Sequence, residues 1–239
     1  MLDKRPSYFR RRGLFRRLAR TFLKIVFYGF ILSVIYVLVG KWINPPITIT
    51  QFDSFFTGHG LKRNYINYDE MGNNIKLAVM AGEDQLFPDH NGFDFKSIQK
   101  AMKHNQKSKS LRGASTISQQ VAKNVFLWQG RSYFRKALEV YFTFMIEQIW
   151  GKKRILEMYL NVAQTGDGIF GVEAAARHYF NKDAKDLTRK EAAMIASCLP
   201  NPALFTVQPV SARVASRYPW IMRQMNNLQA DEDIQALLK

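Results

Sequence analysis

Two carboxylates and a run of cations are the residues in this sequence best suited to chemistry. Glu83 stands beside Asp84 near the C-terminal end of a stretch with helical periodicity, just before Leu86-Phe87-Pro88-Asp89-His90-Asn91-Gly92. A carboxylate there faces the negative end of the helix dipole, which modestly opposes ionisation and suits a group that must take up a proton. Glu139 follows Arg135 by four residues, on the same helix face. Gln119, Gln120, Lys123, Arg131, Arg135 and Lys136 lie in one tract. Gln119 and Lys123 share a face. Arg131 and Arg135 flank a helix start, where free backbone N–H groups also favour anions. Such a set is a candidate cradle for a di-anionic group such as a pyrophosphate. On spacing alone, a solvated Arg135–Glu139 ion pair worth about 0–1 kcal/mol is the plainer account.

The elements that must position these groups are helical. Leu77, Met80, Ala81 and Asp84 recur at helix spacing from Asn74 onward, with Pro88 as the stop. Asp94 predicts an N-cap for a helix with Ile98, Ala101 and Met102 turned inward. A polar, basic stretch from His104 to Gly113 follows. Thr116 and Gln119 have capping-box spacing and open a helix to about Phe126. Ser132 caps a longer helix whose stripe is Leu138, Tyr141, Phe142, Met145 and Ile149, ended by Gly151. Further helices fit 153–160 and 172–179. Thr188 and Glu191 form a second capping box for 188–199, before Pro200-Asn201-Pro202. Alternating runs are scarce, so the fold class is mainly α.

The 239 residues, 47% hydrophobic and 13% aromatic, suffice for one sizeable domain and an appendage. The formal charge is +16, and half of that excess falls within the first 24 residues, which hold nine bases against Asp3. No charged residue occurs from Ile25 to Gly40, and Phe22, Leu23, Trp42 and Ile43 lengthen the apolar run. This predicts a transmembrane anchor over 22–43 rather than a cleaved signal, because no small-residue cleavage site follows. The expected division is a basic cytoplasmic tail (1–21), the anchor, a membrane-proximal linker (44–73) and a catalytic domain (74–239). The positive-inside rule puts the N-terminus in the cytoplasm and the rest outside. The basic cluster abuts the span and suits anionic lipid, so no nucleic-acid partner is needed. Cys198, the sole cysteine, lies in an apolar helical stretch and reads as a buried, inert thiol.

Two patterns carry little. Ser97-Ile98-Gln99-Lys100 fits S-x-x-K, but the S-D-N and K-T-G partners of acyl enzymes are missing. The histidines at 59, 90, 104 and 178 lack the spacing of a zinc site, and His90 reads as a structural, hydrogen-bonded residue.

Four segments, taken in order, resemble the lysozyme-like bacterial peptidoglycan glycosyltransferases (glycosyltransferase family 51), and within them the monofunctional biosynthetic transglycosylases. Residues 83–92 match E-D-x-x-F-x-x-H-x-G. Residues 113–120 match G-x-S-T-I-T-Q-Q, with Ser118 where Thr is usual. Residues 135–139 match R-K-x-x-E, and residues 152–161 match K-x-x-I-L-E-x-Y-L-N. The likeness runs from about Ile75 to Pro202. It implies a lysozyme-like α-helical domain behind a single N-terminal transmembrane helix, in the bacterial cytoplasmic membrane. The implied substrate is lipid II, added to a growing glycan strand through a β-1,4 bond with inversion and release of undecaprenyl pyrophosphate. Glu83 falls on the family's general base and Glu139 on its second essential carboxylate. Lys123, Arg131, Arg135 and Lys136 fall on pyrophosphate-binding positions. Asp84, Ser115, Thr116, Gln119 and Gln120 fall at the substrate site. The implied cofactor is Mg²⁺ or Mn²⁺ near the pyrophosphate, with Glu139 as its candidate ligand. Implied partners are transpeptidases and cell-division or elongation proteins. Only 37 residues follow Pro202, so cross-linking is expected to fall to such a partner. A lytic muramidase would share the fold class but needs no pyrophosphate cradle. A non-catalytic scaffold would not require both carboxylates.

Overall fold

The computed structural model describes residues 7–108, 113–130 and 132–239, with side chains from residue 15 onward. The chain divides into two units, Met1–Ile43 and Asn44–Lys239. The first is helix α1, Ser7–Gly40. Its Phe15–Gly40 portion is long and apolar enough to cross a membrane, its most apolar stretch having a mean hydropathy of 2.4. At 1.5 Å per residue it measures about 39 Å, against a hydrocarbon core of roughly 30 Å. The helix itself extends ahead of Phe22 through a segment bearing Arg16, Arg17 and Arg20, and it ends at Gly40. Lys41, Trp42 and Ile43 close it in a turn by donating to the carbonyls of Leu38 and Val39.

The second unit is mainly α. Segment 44–73, expected to be a linker, holds helix α2 (Ile49–Phe56), opened by a Thr48–Gln51 capping box. It also holds strand β1 (Lys62–Arg63). Then come α3 (Asn73–Glu83), α4 (Phe95–Lys107), α5 (Ile117–Phe126), α6 (Tyr133–Ile149), α7 (Lys152–Val162), α8 (Val172–Phe180), α9 (Arg189–Cys198), α10 (Ala212–Leu228) and α11 (Glu232–Leu238). Strands β2 (Gln164–Gly166) and β3 (Ile169–Phe170) complete a small sheet of order β1-β3-β2. In it β1 runs parallel to β3, with Lys62 opposite Ile169, and β2 runs antiparallel. Strands of two or three residues show no alternation in a sequence.

Two helix groups build the core. Helices α3, α9 and α10 pack on one another, and so do α5, α6 and α7. Every residue of α3 from Ile75 to Ala81 is buried, including Lys76, whose ammonium lies over the Tyr68 ring at 3.8 Å. Gly82 lets α10 approach closely, since a Cβ there would sit 3.0 Å from Ile221 Cδ1. Cys198 is buried in α9 and donates to the carbonyls of Thr165 and Ile195, and burial pushes its thiol up to about 12.

Three helices depart from the sequence reading. Helix α3 stops at Glu83, not at Pro88, because Asp84 turns away to make bonds elsewhere in the fold. Helix α4 has its Asp94 cap but no buried residue, and Met102 is 59% exposed rather than inward. It also extends to Lys107, into the stretch expected to be irregular, and residues 109–112 of that stretch lie outside the described residues. In α6 the fully buried line is Glu139, Thr143 and Ile146. The Leu138–Tyr141–Phe142–Met145–Ile149 stripe is only half-buried beside it.

Candidate active site

The site forms where the end of α3 meets the start of α5. Asp84 is buried, and both carboxylate oxygens are used. His90 Nε2 lies 3.0 and 3.1 Å from them, and the Ile117 backbone N–H, in the first turn of α5, donates to Oδ2 at 2.9 Å. The Gly92 N–H donates to His90 Nδ1, so the ring proton is assigned to Nε2, facing Asp84. Thr116 Oγ1 donates to the Gly92 carbonyl while capping α5. Gly92 has φ +86°, and a Cβ there would meet Thr143 Cγ2 at 2.7 Å and Glu147 Cγ at 3.0 Å. Gly92→Ala should therefore combine a left-handed penalty of about 1–2 kcal/mol with overpacking of about 1–3 kcal/mol. For a chain of this size each kcal/mol lowers Tm by roughly 2–4 °C. An unchanged melting curve would contradict this.

Glu83 closes α3 with its side chain 10% exposed. Gln120 Nε2 donates to Oε2 at 3.0 Å, and the Tyr159 hydroxyl donates to Gln120 Oε1 at 2.9 Å. Tyr159 thereby fixes which end of the amide faces the carboxylate. Arg217, on α10, lies 3.6 Å from Glu83 Oε1. Burial raises the Glu83 pKa above the usual carboxylate value; the Gln120 bond and the Arg217 charge pull it back, and Asp84 adds to the rise. A carboxyl so placed is tuned as a proton acceptor. Tyr159→Phe should lower kcat several-fold with little change in KM, because it leaves the Gln120 carbonyl unpaired, at about 1–3 kcal/mol, and frees the amide to turn. Steady-state kinetics would check it, and an unaltered kcat would remove this role.

Three residues along the same face of α5, Lys123 meets the cations. Glu139 is buried in α6, its side chain 4% exposed, and accepts from Arg135 Nη1 at 2.7 Å and from Lys136 Nζ. The Arg135–Glu139 pair exists, then, but is not solvated. Burial lowers the Lys123 pKa; Glu139 opposes this, while Arg135 and Lys136 reinforce it. No carboxylate among the described residues pairs with the Lys123 ammonium. Gln120, Lys123 and Tyr159 line one cleft of about 280 Å³, with Thr50, Asn201 and Pro202 on its walls. Arg131 lies outside the described residues. The described residues form no cluster of three His, Cys, Asp or Glu able to hold a metal ion. Both oxygens of Glu139 are already paired, so these side chains do not fit a resident divalent ion.

The sequence pattern that defines the Transglycosylase family matches residues 49–226. The chain belongs to that family. It is 48% identical over 224 residues to the "Biosynthetic peptidoglycan transglycosylase" of Pseudomonas fluorescens (strain SBW25), covering 91% of this chain and 93% of the relative. Identity to the protein of that name from Pseudomonas aeruginosa is 44% over 227 residues, covering 92% and 96%. For the one from Mannheimia succiniciproducens it is 54% over 165 residues, covering 69% and 68%.

In this transglycosylase-family chain the residues singled out from sequence fall into two sets. Gln120 and Lys123 line the cleft, Gln120 reaches Glu83, and Arg135 and Lys136 pair with Glu139 beside Lys123. Asp84, Thr116 and Gln119 are buried, and the Asp84 carboxylate, the Thr116 hydroxyl and Gln119 Oε1 are engaged at the α3–α5 junction and the α5 cap. Ser115 is exposed ahead of that cap. Sequence reasoning missed several supporting groups. Lys152 donates to the His90 carbonyl at 2.5 Å and to Glu147 Oε1 at 2.8 Å, and Ser118 donates to that same oxygen at 2.5 Å. Asn161 clamps the Ile66 backbone from both sides. Lys152, Tyr159 and Asn161 all sit in the fourth motif, which was the available signal. Arg217 sits in none.

Proposed function

We propose that this chain is a peptidoglycan glycosyltransferase that polymerises lipid II into glycan strands. The observation that carries the reading is that one helix, α5, presents Gln120 to the buried Glu83 and Lys123 to the Arg135–Lys136–Glu139 cluster. A proton acceptor and an anion cradle are thus linked through one helix, whose Gln120 and Lys123 both line the cleft. Glu83 takes the proton of the acceptor sugar 4-hydroxyl. That oxygen bonds to the anomeric carbon of the growing strand as the bond from this carbon to the diphosphate oxygen breaks. The electron pair leaves with undecaprenyl pyrophosphate, and attack opposite an α-linked leaving group gives a β-1,4 bond with inversion. Negative charge grows on the diphosphate as it departs, so fixed cations there lower the barrier. Hydrolysis of finished glycan would need no such cradle. Mg²⁺ or Mn²⁺ would enter with the diphosphate rather than on a protein donor set of its own, and the proton and charge movements above use only this chain's residues.

A lipid-borne substrate fits an anchored enzyme. We assign α1 to the cytoplasmic membrane with its basic end inside and residues 44–239 outside, where they can meet the growing strand and transpeptidases or cell-division and elongation proteins. A reporter fused after Lys239 that is active only in the cytoplasm would overturn this orientation. Incubating the full chain with lipid II and Mg²⁺ should give a high-mass product that muramidase degrades to disaccharide-peptides. Intact lipid II, or degradation of added glycan instead, would overturn the assignment.

A further inference from the structure

Arg217 lies outside every motif quoted above, yet α10 delivers its guanidinium to the base. Val214, Ile221 and Met225 are the buried positions of α10, and they fix its face against α3, where Gly82 permits the close approach. From there Arg217 Nη2 donates to the Gly82 carbonyl at 2.9 Å and lies 3.6 Å from Glu83 Oε1. The guanidinium also covers the Trp220 ring at 5.6 Å. Its Nε is buried with no partner, and burial lowers its pKa against the pull of Glu83. A half-buried, half-satisfied cation is poor scaffolding, because desolvation offsets its attraction. Its hydrogen bond to Gly82 and its ion pair with Glu83 both go to the last turn of α3.

We propose that Arg217 is a positioning residue for the base: it ties down the final turn of α3 through Gly82 and sets a positive charge against the Glu83 carboxylate, keeping Glu83 ionised and aimed into the cleft. The inference rests on the reading of Glu83 as the base. The groups facing Glu83 are Asp84 just past the end of α3, neutral Gln120 on α5, Tyr159 on α7, Cys198 on α9 and Arg217 on α10, with Arg213 behind Arg217. Of these, Arg217 is the cation in contact with the carboxylate.

The test is the pH dependence of lipid II polymerisation by the full chain and two variants. Arg217→Gln keeps a donor for Gly82 but removes the charge. Arg217→Lys keeps the charge. An opposite charge at this range moves a carboxyl pKa by about one unit or more. Arg217→Gln should therefore shift the acidic limb of kcat/KM upward by about one pH unit, a roughly tenfold loss on that limb that recovers at higher pH. Arg217→Lys should hold the limb near its original position. Equal losses at every pH, or an unmoved limb in Arg217→Gln, would overturn the inference, as would loss of fold in both variants. Glu83→Gln run alongside separates the two readings. If it is inactive while the Arg217→Gln limb stays put, this inference alone fails; if it is fully active, the base assignment fails.

Discussion

Glu83→Gln should lower the rate of glycan polymerisation by about 10²–10⁴-fold, the usual contribution of a general base, while lipid II binding is retained. The substitution keeps the side-chain shape beside Gln120 and Arg217 and removes only the proton-accepting capacity. Burial holds the folded-state pKa of Glu83 above its unfolded value. The proton it holds thus favours the folded chain in acid, and that contribution is lost as pH rises through the folded pKa. At neutral pH the wild-type chain bears the cost of a buried charge, and the Gln variant does not. The variant should therefore melt higher than wild type at neutral pH, with the advantage vanishing in acid below the ordinary carboxylate range. Initial-rate assays and melting curves on one preparation test both halves. Full activity would remove the base, and a lower Tm at neutral pH would contradict the account of its burial.

Lys123→Ala should cost about 10²–10³-fold in turnover, or about 2.7–4 kcal/mol of transition-state stabilisation, as removal of one preorganised donor to developing charge does. Stability should change little. The ammonium lies near Glu139, Arg135 and Lys136 but forms no ion pair with a carboxylate among the described residues, so its removal loses the attraction of Glu139 and the repulsion of the two cations together. Specific activity measured beside Tm distinguishes the roles. A large fall in Tm with normal specific activity would make Lys123 a structural residue.

What the sequence disclosed depends on the range of the interaction. The caps at Thr116, Ser132, Asp94 and Thr188 were legible because a side chain reaches a backbone N–H three residues on, which is a local event. The end of α3 was misplaced because Asp84 answers to Ile117, thirty-three residues away. Met102 was turned inward by a periodicity that α4, lying on the rim with four lysines, does not use for burial. The ordered motifs brought Glu83, Arg135 and Glu139 to notice and the tract of cations brought Lys123, but spacing alone made Arg135 and Glu139 a solvated pair, and only the packing of α6 shows that carboxylate buried. Arg217 was illegible: its role exists only once α10 lies across α3, and no local pattern encodes that crossing.

Helix α5 also acts as a ruler. Gln120 and Lys123 are three residues apart on one rigid element, about 4.5 Å along its axis. The proton-accepting and charge-absorbing ends of the reaction are therefore held at a fixed stagger without any closing movement. A residue gained or lost between them would swing one end about 100° out of phase. The chemistry can thus absorb a change of side-chain length at either end more readily than a change in the count between them.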